Sequence, residues 1–385
     1  MLSNIIEINV GTSTAVLEPN VPMDKLVQAT LSCGMIPPVV MEFPGITSSS
    51  FKHGYFSQSV KSVEMVLGNG KAVTASKSLN SDLFYGAAGA LGTFGIVTKL
   101  EISLVQARRF VKLVYQPYAT TKETIAAVRK ATESLENDYV DAILFSSDHG
   151  VVMTGTLTDD IPPSEQPQTF SRAWDPWFYH HVMKKPLEER STDYVPLAEY
   201  LFRYDRGGFW VGALGFKYFF FVPFNRLTRW ILDDLLHTRA MYRGLHGSSL
   251  SQAFIIQDLS LPYAHAENGS PQIMLNVGIW SAASQDLSTS TQQKLLYSNV
   301  YYTQEEFWQL YDTKWYEDLR RGYSATTLPS VYEKVRADVP RPLYTLQRLR
   351  TSWPFAGLVG LWHVIMGGDL RDHKQFDWMS LAKKE

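Results

Sequence analysis

The sequence contains little cysteine, no excess of positive charge and no long uninterrupted apolar run. Its 385 residues include one cysteine, Cys33, which excludes an intramolecular disulfide and any cysteine-based zinc or iron–sulfur site within one chain. Lys and Arg number 36 against 38 Asp and Glu, so the net charge of −2 argues against nucleic-acid binding. Motifs of the GxSxG, HExxH and P-loop types are absent, and the histidines lack metal-ligand spacing. The first ten residues lack the basic and apolar regions of a secretory signal peptide.

The composition is otherwise that of a globular protein with a large apolar content. Hydrophobic residues make up 45% of the chain and charged residues 19%, which is enough to bury a core. The length of 385 residues suggests two domains or one large one. Aromatic residues reach 13%, with 10 Trp, 20 Tyr and 20 Phe. This much rigid apolar surface suits a large apolar ligand or a membrane face.

The hydrophobic pattern predicts an α+β protein with mixed or antiparallel sheets. Segments 62–67 and 71–76 flank Gly68-Asn69-Gly70, which is a hairpin turn signal. Residues 96–104 alternate apolar and polar as a strand does, and residues 121–135 form an amphipathic helix. Further strands and helices alternate through residue 157, and the aromatic region from about 175 to 250 is predicted to be helical.

Two aromatic-rich runs approach membrane character. Phe209–Phe224 carries one charge, Lys217, and Trp353–Gly368 contains no Asp, Glu, Lys or Arg. Each is shorter than the roughly 20 apolar residues that a spanning helix needs, and proline and glycine interrupt both. We interpret them as buried segments or pocket walls, with an interfacial, monotopic element as the alternative.

Two glycine- and hydroxyl-rich loops are candidates for ligand contact. Glycines at 86, 89, 92 and 95 follow a predicted helix and open a strand, the reverse of the dinucleotide fingerprint order. Their backbone could approach a pyrophosphate, or the segment could be only a tightly packed turn. The segment Glu42–Gly54 combines a Pro-Gly turn, four hydroxyls and a Lys-His pair, which suits phosphate or carbonyl groups if it is more than a polar surface loop.

Tyr204 and Asp258 are the candidates for a catalytic acid. Tyr204 lies in Arg203–Trp210, where an Asp–Arg pair could orient its proton beside an aromatic run, although an ordinary ion pair explains the same residues. Asp258 lies inside an apolar strand, where it is either paired or held at a pocket wall with a raised pKa. Lys52 and His53 are alternatives.

Three stretches resemble the FAD domain of flavoproteins of the vanillyl-alcohol-oxidase (PCMH) type. They are residues 16–56 (with PPVVMEFPGIT and SSSFKHGYF), 63–70 (VEMVLGNG) and 82–98 (DLFYGAAGALGTFGIVT). Within that class the chain looks most like the Δ24-sterol reductases of the Diminuto type. Residues 204–210, 254–261, 302–316 and 371–379 resemble the downstream domain of the same group.

The resemblance implies a partial FAD-binding domain over residues 1–106 and a substrate or cap domain over 107–385. It implies an ene-reductase in which NAD(P)H, with NADPH as the expected donor, reduces FAD. The flavin then reduces a C=C bond of a sterol-like substrate. It further implies association with the membrane of the endoplasmic reticulum, with the cytoplasm as the alternative location.

The family pattern also implies which residues contact the cofactor. Residues near the flavin or its pyrophosphate would be Pro44, Gly45, Ile46, Thr47, Ser49 and Ser50. Residues following the adenosine side through their backbones would be Gly92, Gly95, Ile96 and Val97.

The chain departs from the family in its flavin loops. The upstream subdomain with a second phosphate-binding loop does not precede the first hairpin, and the glycine-rich stretch expected after FPGIT is missing, so that Thr47 runs directly into Ser48. A truncated family member is the expectation. Two alternatives therefore stay open: a flavin-free, catalytically impaired protein that binds sterol or a membrane surface, and an oxidase of the same flavin class.

Overall fold

The computed structural model describes residues 2–43, 46–187, 189–248, 254–262, 274–282, 300, 303–336 and 352–367. The strands in this part of the chain are β1 (Ile5–Asn9), β2 (Thr14–Leu17), β3 (Met35–Ile36), β4 (Val60–Leu67), β5 (Ala72–Ser76), β6 (Gly95–Ser103), β7 (Val105–Gln106), β8 (Phe110–Tyr118), β9 (Tyr139–Ser146), β10 (His149–Thr158), β11 (Ser191–Pro196), β12 (Phe254–Pro262) and β13 (Met274–Ala282).

The helices in the same residues are α1 (Met23–Leu31), α2 (Ser50–His53), α3 (Phe56–Ser59), α4 (Ser81–Ala87), α5 (Thr121–Glu133), α6 (Phe178–Met183), α7 (Leu197–Leu201), α8 (Val211–Tyr218), α9 (Arg226–Ile231), α10 (Thr238–Gly247), α11 (Gln304–Leu310), α12 (Thr313–Gly322), α13 (Val331–Val335) and α14 (Phe355–Gly367). The mixture of helices with antiparallel sheets confirms the predicted α+β class.

The chain divides into two compact units, each built from three separate segments. The first contains Met1–Pro22, Phe56–Leu104 and Gln252–Leu343, and the second contains Met23–Tyr55, Val105–Ser251 and Tyr344–Glu385. This arrangement differs from the linear division predicted at residue 106. One crossing of the chain from the first unit to the second, between Leu104 and Val105, nevertheless lies close to that residue. The difference arises because β3 pairs with β7, so the segment carrying β3 packs with the second unit.

The first unit is built on a five-stranded sheet in the order β1-β2-β6-β4-β5, in which all neighbours are antiparallel. The predicted hairpin joins β4 to β5, with Gly70 at φ +80° as the turn requires. Alternate side chains of β4, among them Val63, Met65 and Leu67, are buried in the core. The sheet therefore fixes the start of β6, where the predicted glycine segment ends.

The second unit is built on a four-stranded antiparallel sheet in the order β11-β8-β10-β9. The strand β11 was not predicted, because its short sequence lies inside an aromatic region that was interpreted as helical. It pairs along the edge of β8, where Asp193 lies opposite Leu113. Tyr115 and Val151 are fully buried in this sheet.

The second apolar run, in which proline and glycine argued against a helix, forms the 13-residue helix α14. Its apolar residues surround the helix axis, so the sequence lacks the alternation of an amphipathic helix. In the described part of the chain, every helix is too short or too polar to span a bilayer.

Candidate functional site

The loop predicted to face a flavin lies in the second unit, between β3 and the one-turn helix α2. Ile46 forms an isolated antiparallel bridge with Phe43, and its backbone N–H donates to the Phe43 carbonyl at 2.8 Å. Pro44 and Gly45 lie outside the described residues. The described residues on either side, Phe43 and Ile46, thus pair with each other in antiparallel orientation.

The hydroxyls of this loop are bonded within it. Thr47 Oγ1 and Ser50 Oγ lie 2.6 Å apart, and both residues are partly exposed. Ser49 is buried, and its hydroxyl donates to the Pro38 carbonyl at 2.8 Å. Thr47 and Ser50 thus remain at the surface of the loop, whereas Ser49 anchors it from inside.

Ser48 occupies the position where the glycine-rich stretch of the family would begin. Its buried hydroxyl donates to Glu42 Oε1 and lies 3.1 Å from the Tyr200 hydroxyl. Burial raises the pKa of Glu42 to about 7, despite the opposing attraction of Arg203 and the hydrogen bond from Ser48. The direct Thr47–Ser48 connection is therefore packed into a polar core around Glu42.

Arg203 is the centre of that polar core. Its guanidinium lies 2.7 Å from Glu42 Oε2 and 3.1 Å from Asp141 Oδ2, and its side chain is 1% exposed. Nη1 also donates to the Tyr200 carbonyl at 2.9 Å. The guanidinium lies over the Tyr200 and Tyr204 rings, with centroids at 4.1 and 4.6 Å. We call Glu42, Asp141, Arg203 and Tyr204 the Arg203 cluster.

Tyr204, a predicted catalytic acid, belongs to this cluster. Its hydroxyl donates to Asp141 Oδ2 at 2.6 Å, and the residue is 1% exposed. Burial and the neighbouring Asp141 carboxylate raise the pKa of Tyr204 well above its usual value. Phe43, Phe178 and Phe209 surround the ring, with centroids at 5.0–6.2 Å. The phenol is therefore held protonated by a carboxylate in an aromatic environment.

The rest of the Arg203–Trp210 motif forms ion pairs. Arg206 Nη2 lies 2.7 Å from Asp233, and the guanidinium also donates to carbonyls of the 170–175 segment. His237 Nδ1 lies 2.5 Å from Asp205 Oδ2. Although burial lowers it, the pKa of His237 is raised to about 9 by hydrogen bonds to Asp205 and Asp233. The motif thus provides both the oriented tyrosine and ordinary ion pairs.

The other candidate acids lie elsewhere in the fold. Asp258 belongs to β12 of the first unit, where its backbone is in register with Gly278 of β13. Lys52 Nζ is bonded to Asp138 Oδ1 at 2.7 Å in the second unit. His53 is half-buried, and burial together with the Lys52 charge lowers its pKa. Asp258 and Tyr204 are therefore in different units.

Two glycines of the glycine segment are required by close packing inside the first unit. A Cβ on Gly86 would lie 2.3 Å from Leu319 Cδ2 of α12. A Cβ on Gly95 would lie 2.5 Å from the Val66 carbonyl oxygen of β4. The helix and the strand on either side of the turn thus approach their neighbours without room for a side chain.

The other two glycines are required by backbone conformation. Gly89 and Gly92 have φ of +74° and +73°, and a Cβ on Gly89 would meet nothing within 4 Å. Lys334 Nζ lies 3.6 Å from the position of a Cβ on Gly92 and donates to the Leu91 carbonyl at 2.6 Å. This turn therefore combines open space with an exposed cation, an arrangement that fits an anionic group such as a pyrophosphate. We call residues 89–92 with Lys334 the glycine turn.

The strand that leaves the glycine turn carries the remaining predicted cofactor residues. Ile96 and Val97 pair with Val66 and Met65, and Ile96 is 67% exposed. Arg320, by contrast, is buried beside the turn and donates to carbonyls of Thr93, Leu328 and Pro329. The predicted cofactor residues consequently fall into two groups, residues 46–50 in the second unit and 92–97 in the first.

Sequence reasoning missed Asp141, Arg320 and Lys334. Asp141 lies in a strand that was predicted correctly, but a partly buried acid there had no neighbour in sequence to suggest its partners. Lys334 lies 243 residues after Leu91, and Arg320 lies 227 residues after Thr93, whose carbonyls they bind in the glycine segment. Local motifs carry no signal for such pairs.

Comparison with known proteins identifies relatives over most of the chain. The mouse Delta(24)-sterol reductase is 24% identical over 400 residues, covering 87% of this chain and 76% of the mouse protein. The Arabidopsis thaliana Delta(24)-sterol reductase is 26% identical over 285 residues, covering 67% of this chain and 50% of the plant protein. No family model matches the chain.

A similarity to a solved structure is weaker. The carbohydrate oxidase from Microdochium nivale superimposes with a TM-score of 0.37 at 19% identity, covering 53% of this chain and 45% of the oxidase. The conclusion about the relatives of this chain therefore rests on the sequence similarities and not on this structural one. The chain is similar to Delta(24)-sterol reductases over most of its length, which confirms the resemblance in its motifs and the prediction of an oxidoreductase.

Proposed function

We propose that the chain is an FAD-dependent oxidoreductase that reduces a C=C bond of a sterol-like apolar substrate with electrons from NAD(P)H. The observation that carries this proposal is the similarity to Delta(24)-sterol reductases over 87% of the chain. The matched part makes up 76% of the mouse protein. In this chain it includes residues of both compact units, because neither unit alone amounts to 87% of the chain.

The glycine turn supports the cofactor part of the proposal. Gly89 leaves open space and Lys334 supplies an exposed positive charge next to Gly92, so an FAD pyrophosphate would find both room and a counter-charge there. The backbones of Gly92, Gly95, Ile96 and Val97 are the proposed path of the adenosine side. When bound, the flavin supplies the hydride.

The loop at residues 46–50 is the proposed contact with the flavin side. Thr47 and Ser50 present partly exposed hydroxyls that could exchange their mutual hydrogen bond for one to a ligand. Ser49 would keep the loop in place through Pro38. Pro44, Gly45 and Ile46 remain proposed contacts with the flavin or its pyrophosphate.

Tyr204 and Asp258 are the proposed sources of the proton. Tyr204 keeps its proton at neutral pH because its pKa is raised, and Asp141 fixes the direction of its O–H. The aromatic rings around it exclude water, which suits an apolar substrate. Asp258 is the second candidate, in an apolar strand sequence.

The first experiment measures flavin retention. The purified chain is incubated with FAD and freed of excess cofactor, and its visible absorbance is recorded. Retained flavin bands, bleached by NADPH under anaerobic conditions, are the expected result. Reduction of a Δ24-unsaturated sterol, followed by mass spectrometry, then tests the substrate class. A protein that retains no FAD contradicts the proposal for this chain.

The proton donor is tested with Tyr204→Phe in the flavin-loaded protein. We expect slower sterol reduction with unchanged bleaching by NADPH, because only the second half-reaction needs the proton. Rapid peroxide formation from oxygen without sterol reduction would instead indicate an oxidase of the same flavin class.

A flavin-free sterol- or membrane-binding protein is the second candidate. The observation in its favour is the direct Thr47–Ser48 connection, because Ser48 is bonded to Glu42 in a closed polar core where the family carries its flavin-lining glycines. This candidate predicts sterol binding with no retained FAD. Sterol binding that requires FAD contradicts it.

Membrane association at the endoplasmic reticulum is proposed from the same family resemblance. The apolar and aromatic surface of the second unit is consistent with peripheral attachment.

A further inference from the structure

An apolar surface of the second unit is formed by the two apolar runs that the sequence suggested would be buried. Parts of both are exposed. Six large apolar side chains from these runs have exposed fractions between 46% and 72%: Phe220, Phe221, Trp353, Phe355, Trp362 and Met366. We call these six residues the aromatic face. Soluble proteins rarely leave contiguous apolar patches of this kind without a binding partner.

The two runs are in direct contact. The Phe220 and Trp353 rings stack with centroids 5.8 Å apart. The Trp353 indole N–H donates to the Tyr218 carbonyl at 3.1 Å, and the Gly357 N–H donates to the Tyr218 hydroxyl at 3.2 Å. The exposed rings of the 219–221 segment and the start of α14 therefore belong to one surface.

Helix α14 is packed with its small residues inward and its large residues outward. Ala356, Gly360 and Val364 are buried at four-residue spacing. A Cβ on Gly360 would lie 2.7 Å from the Gly244 carbonyl of α10, so the two helices are in close contact. On the opposite side, Phe355, Trp362 and Met366 recur at spacings of seven and four residues. A helix built for a soluble surface would have the reverse arrangement.

In the two sequence segments that carry the aromatic face, all Asp, Glu, Lys and Arg positions are positively charged residues. Residues 209–231 contain Lys217, Arg226 and Arg229 and no carboxylate, and residues 352–367 contain no Asp, Glu, Lys or Arg. Lys217 and Arg226 are exposed. The next acid along the chain, Asp233, is engaged by Arg206 and His237. The whole protein, by contrast, has a net charge of −2.

We propose that the aromatic face inserts into the interfacial region of a lipid bilayer that contains anionic headgroups. Trp and Phe favour the boundary between headgroups and acyl chains, and Lys and Arg next to them attract anionic lipid. A second copy of the chain fits less well, because a two-fold contact through this face would bring the cations of both copies to one interface.

The inference deepens the proposed membrane association and is independent of the flavin chemistry. Failure of vesicle binding would not contradict the proposed reductase activity, and failure to bind FAD would not contradict the role of the aromatic face. The insertion would be shallow, because α14 has 13 residues and lies against α10 along its buried side.

The test is flotation of the full chain with phosphatidylcholine vesicles, with and without phosphatidylserine. We expect flotation with the anionic vesicles and weaker flotation with phosphatidylcholine alone. The double variant Phe220→Ser/Trp362→Ser should bind about tenfold more weakly or worse, since each substitution removes a large apolar side chain from the interface. Lys217→Gln/Arg226→Gln should lose the preference for phosphatidylserine.

The matched control changes two exposed apolar residues of the same unit outside the face. Leu135 and Leu144 are 92% and 48% exposed, and Leu135→Ser/Leu144→Ser should float like the unmodified chain. Circular dichroism confirms that each variant is folded. Equal flotation of the Phe220/Trp362 variant and the control would overturn the proposal, as would absence of flotation for the unmodified chain. A concentration-dependent dimer abolished by Phe220→Ser/Trp362→Ser would assign the face to a second copy instead.

Discussion

The Arg203 cluster and the glycine turn both bring a cation to predicted site residues, but they use that cation in opposite ways. Arg203 is 1% exposed and is neutralised by Glu42 and Asp141. Lys334 is exposed and is bonded to a backbone carbonyl, and no carboxylate among the described residues forms an ion pair with it. A buried charge must be paired for the protein to fold, whereas an exposed one contributes little to folding and stays available to an anion. The comparison therefore predicts large stability effects in the cluster and ligand effects at the turn.

The largest expected effect is that of Arg203→Met. Removing the guanidinium leaves the buried Glu42 and the partly buried Asp141 without their cation, and we expect a loss of about 3–5 kcal/mol in the free energy of unfolding. Urea denaturation measures it. Arg226→Met, at an exposed position over the Trp174 ring, is the control and should change stability by less than about 1 kcal/mol. Equal effects of the two variants would show that the cluster is not a structural centre.

Gly95→Ala tests whether the glycine segment is also structural. The added Cβ would meet the Val66 carbonyl oxygen at 2.5 Å, a backbone atom that cannot move without disturbing β4, so we expect a loss of about 1–3 kcal/mol. Gly322→Ala is the matched control in the same unit, because a Cβ there meets nothing within 4 Å. Thermal unfolding compares the two, and a neutral Gly95→Ala would mean that β6 and β4 are less closely packed than described.

The pH dependence of stability separates the cluster from the turn. Glu42 has a pKa of about 7 in the folded protein, against an ordinary glutamate pKa of 4.5, so the folded state binds more protons between these values. Its contribution is complete below pH 4.5 and is lost as the pH rises through 7, by an amount on the order of 3 kcal/mol.

Glu42→Gln should remove that part of the pH dependence. In the variant, the free energy of unfolding should still decrease towards alkaline pH. His237 causes this decrease, because its pKa is raised from 6.5 to about 9 and its stabilising contribution is lost as the pH rises through 9. Unfolding titrations at several pH values measure the difference between the two proteins. Identical curves for both would show that Glu42 is ionised throughout, with Arg203 outweighing its burial.

The elements of the fold were largely predictable, because hairpin turns and helix starts depend on residues that are close together in the sequence. The turn at Gly68–Gly70 is one example, and the helix that begins at Thr121 is another. The strand β11 was missed because its pairing with β8 depends on an edge that is formed by distant residues. The exposure of Phe220 and Trp362 was not predictable either, since an apolar run has the same pattern in a core and on a membrane face.

The candidate site was predictable at single residues but not in its connections. Tyr204 was identified from its arginine and aspartate neighbours, yet the acid that holds its hydroxyl, Asp141, is 63 residues away. The four glycines were identified as a unit, but the structure divides them into a packed pair and a pair with positive φ. Side-chain partners across the fold require the tertiary structure, because hydrogen bonds and ion pairs do not depend on sequence distance.

The smallest expected effect on stability, and the sharpest test of the comparison, is that of Lys334→Gln. The ammonium is exposed and its hydrogen bond to the Leu91 carbonyl is open to solvent, so the free energy of unfolding should change by less than about 0.5 kcal/mol. The affinity for FAD, measured by fluorescence titration, should nevertheless fall by about tenfold, because a charge-assisted hydrogen bond to a pyrophosphate would be lost. Lys71→Gln, at an exposed lysine of the β4–β5 turn in the same unit, should change neither quantity. If Lys334→Gln destabilised the fold as strongly as Arg203→Met, the cation of the glycine turn would be structural and the distinction between the two regions would disappear.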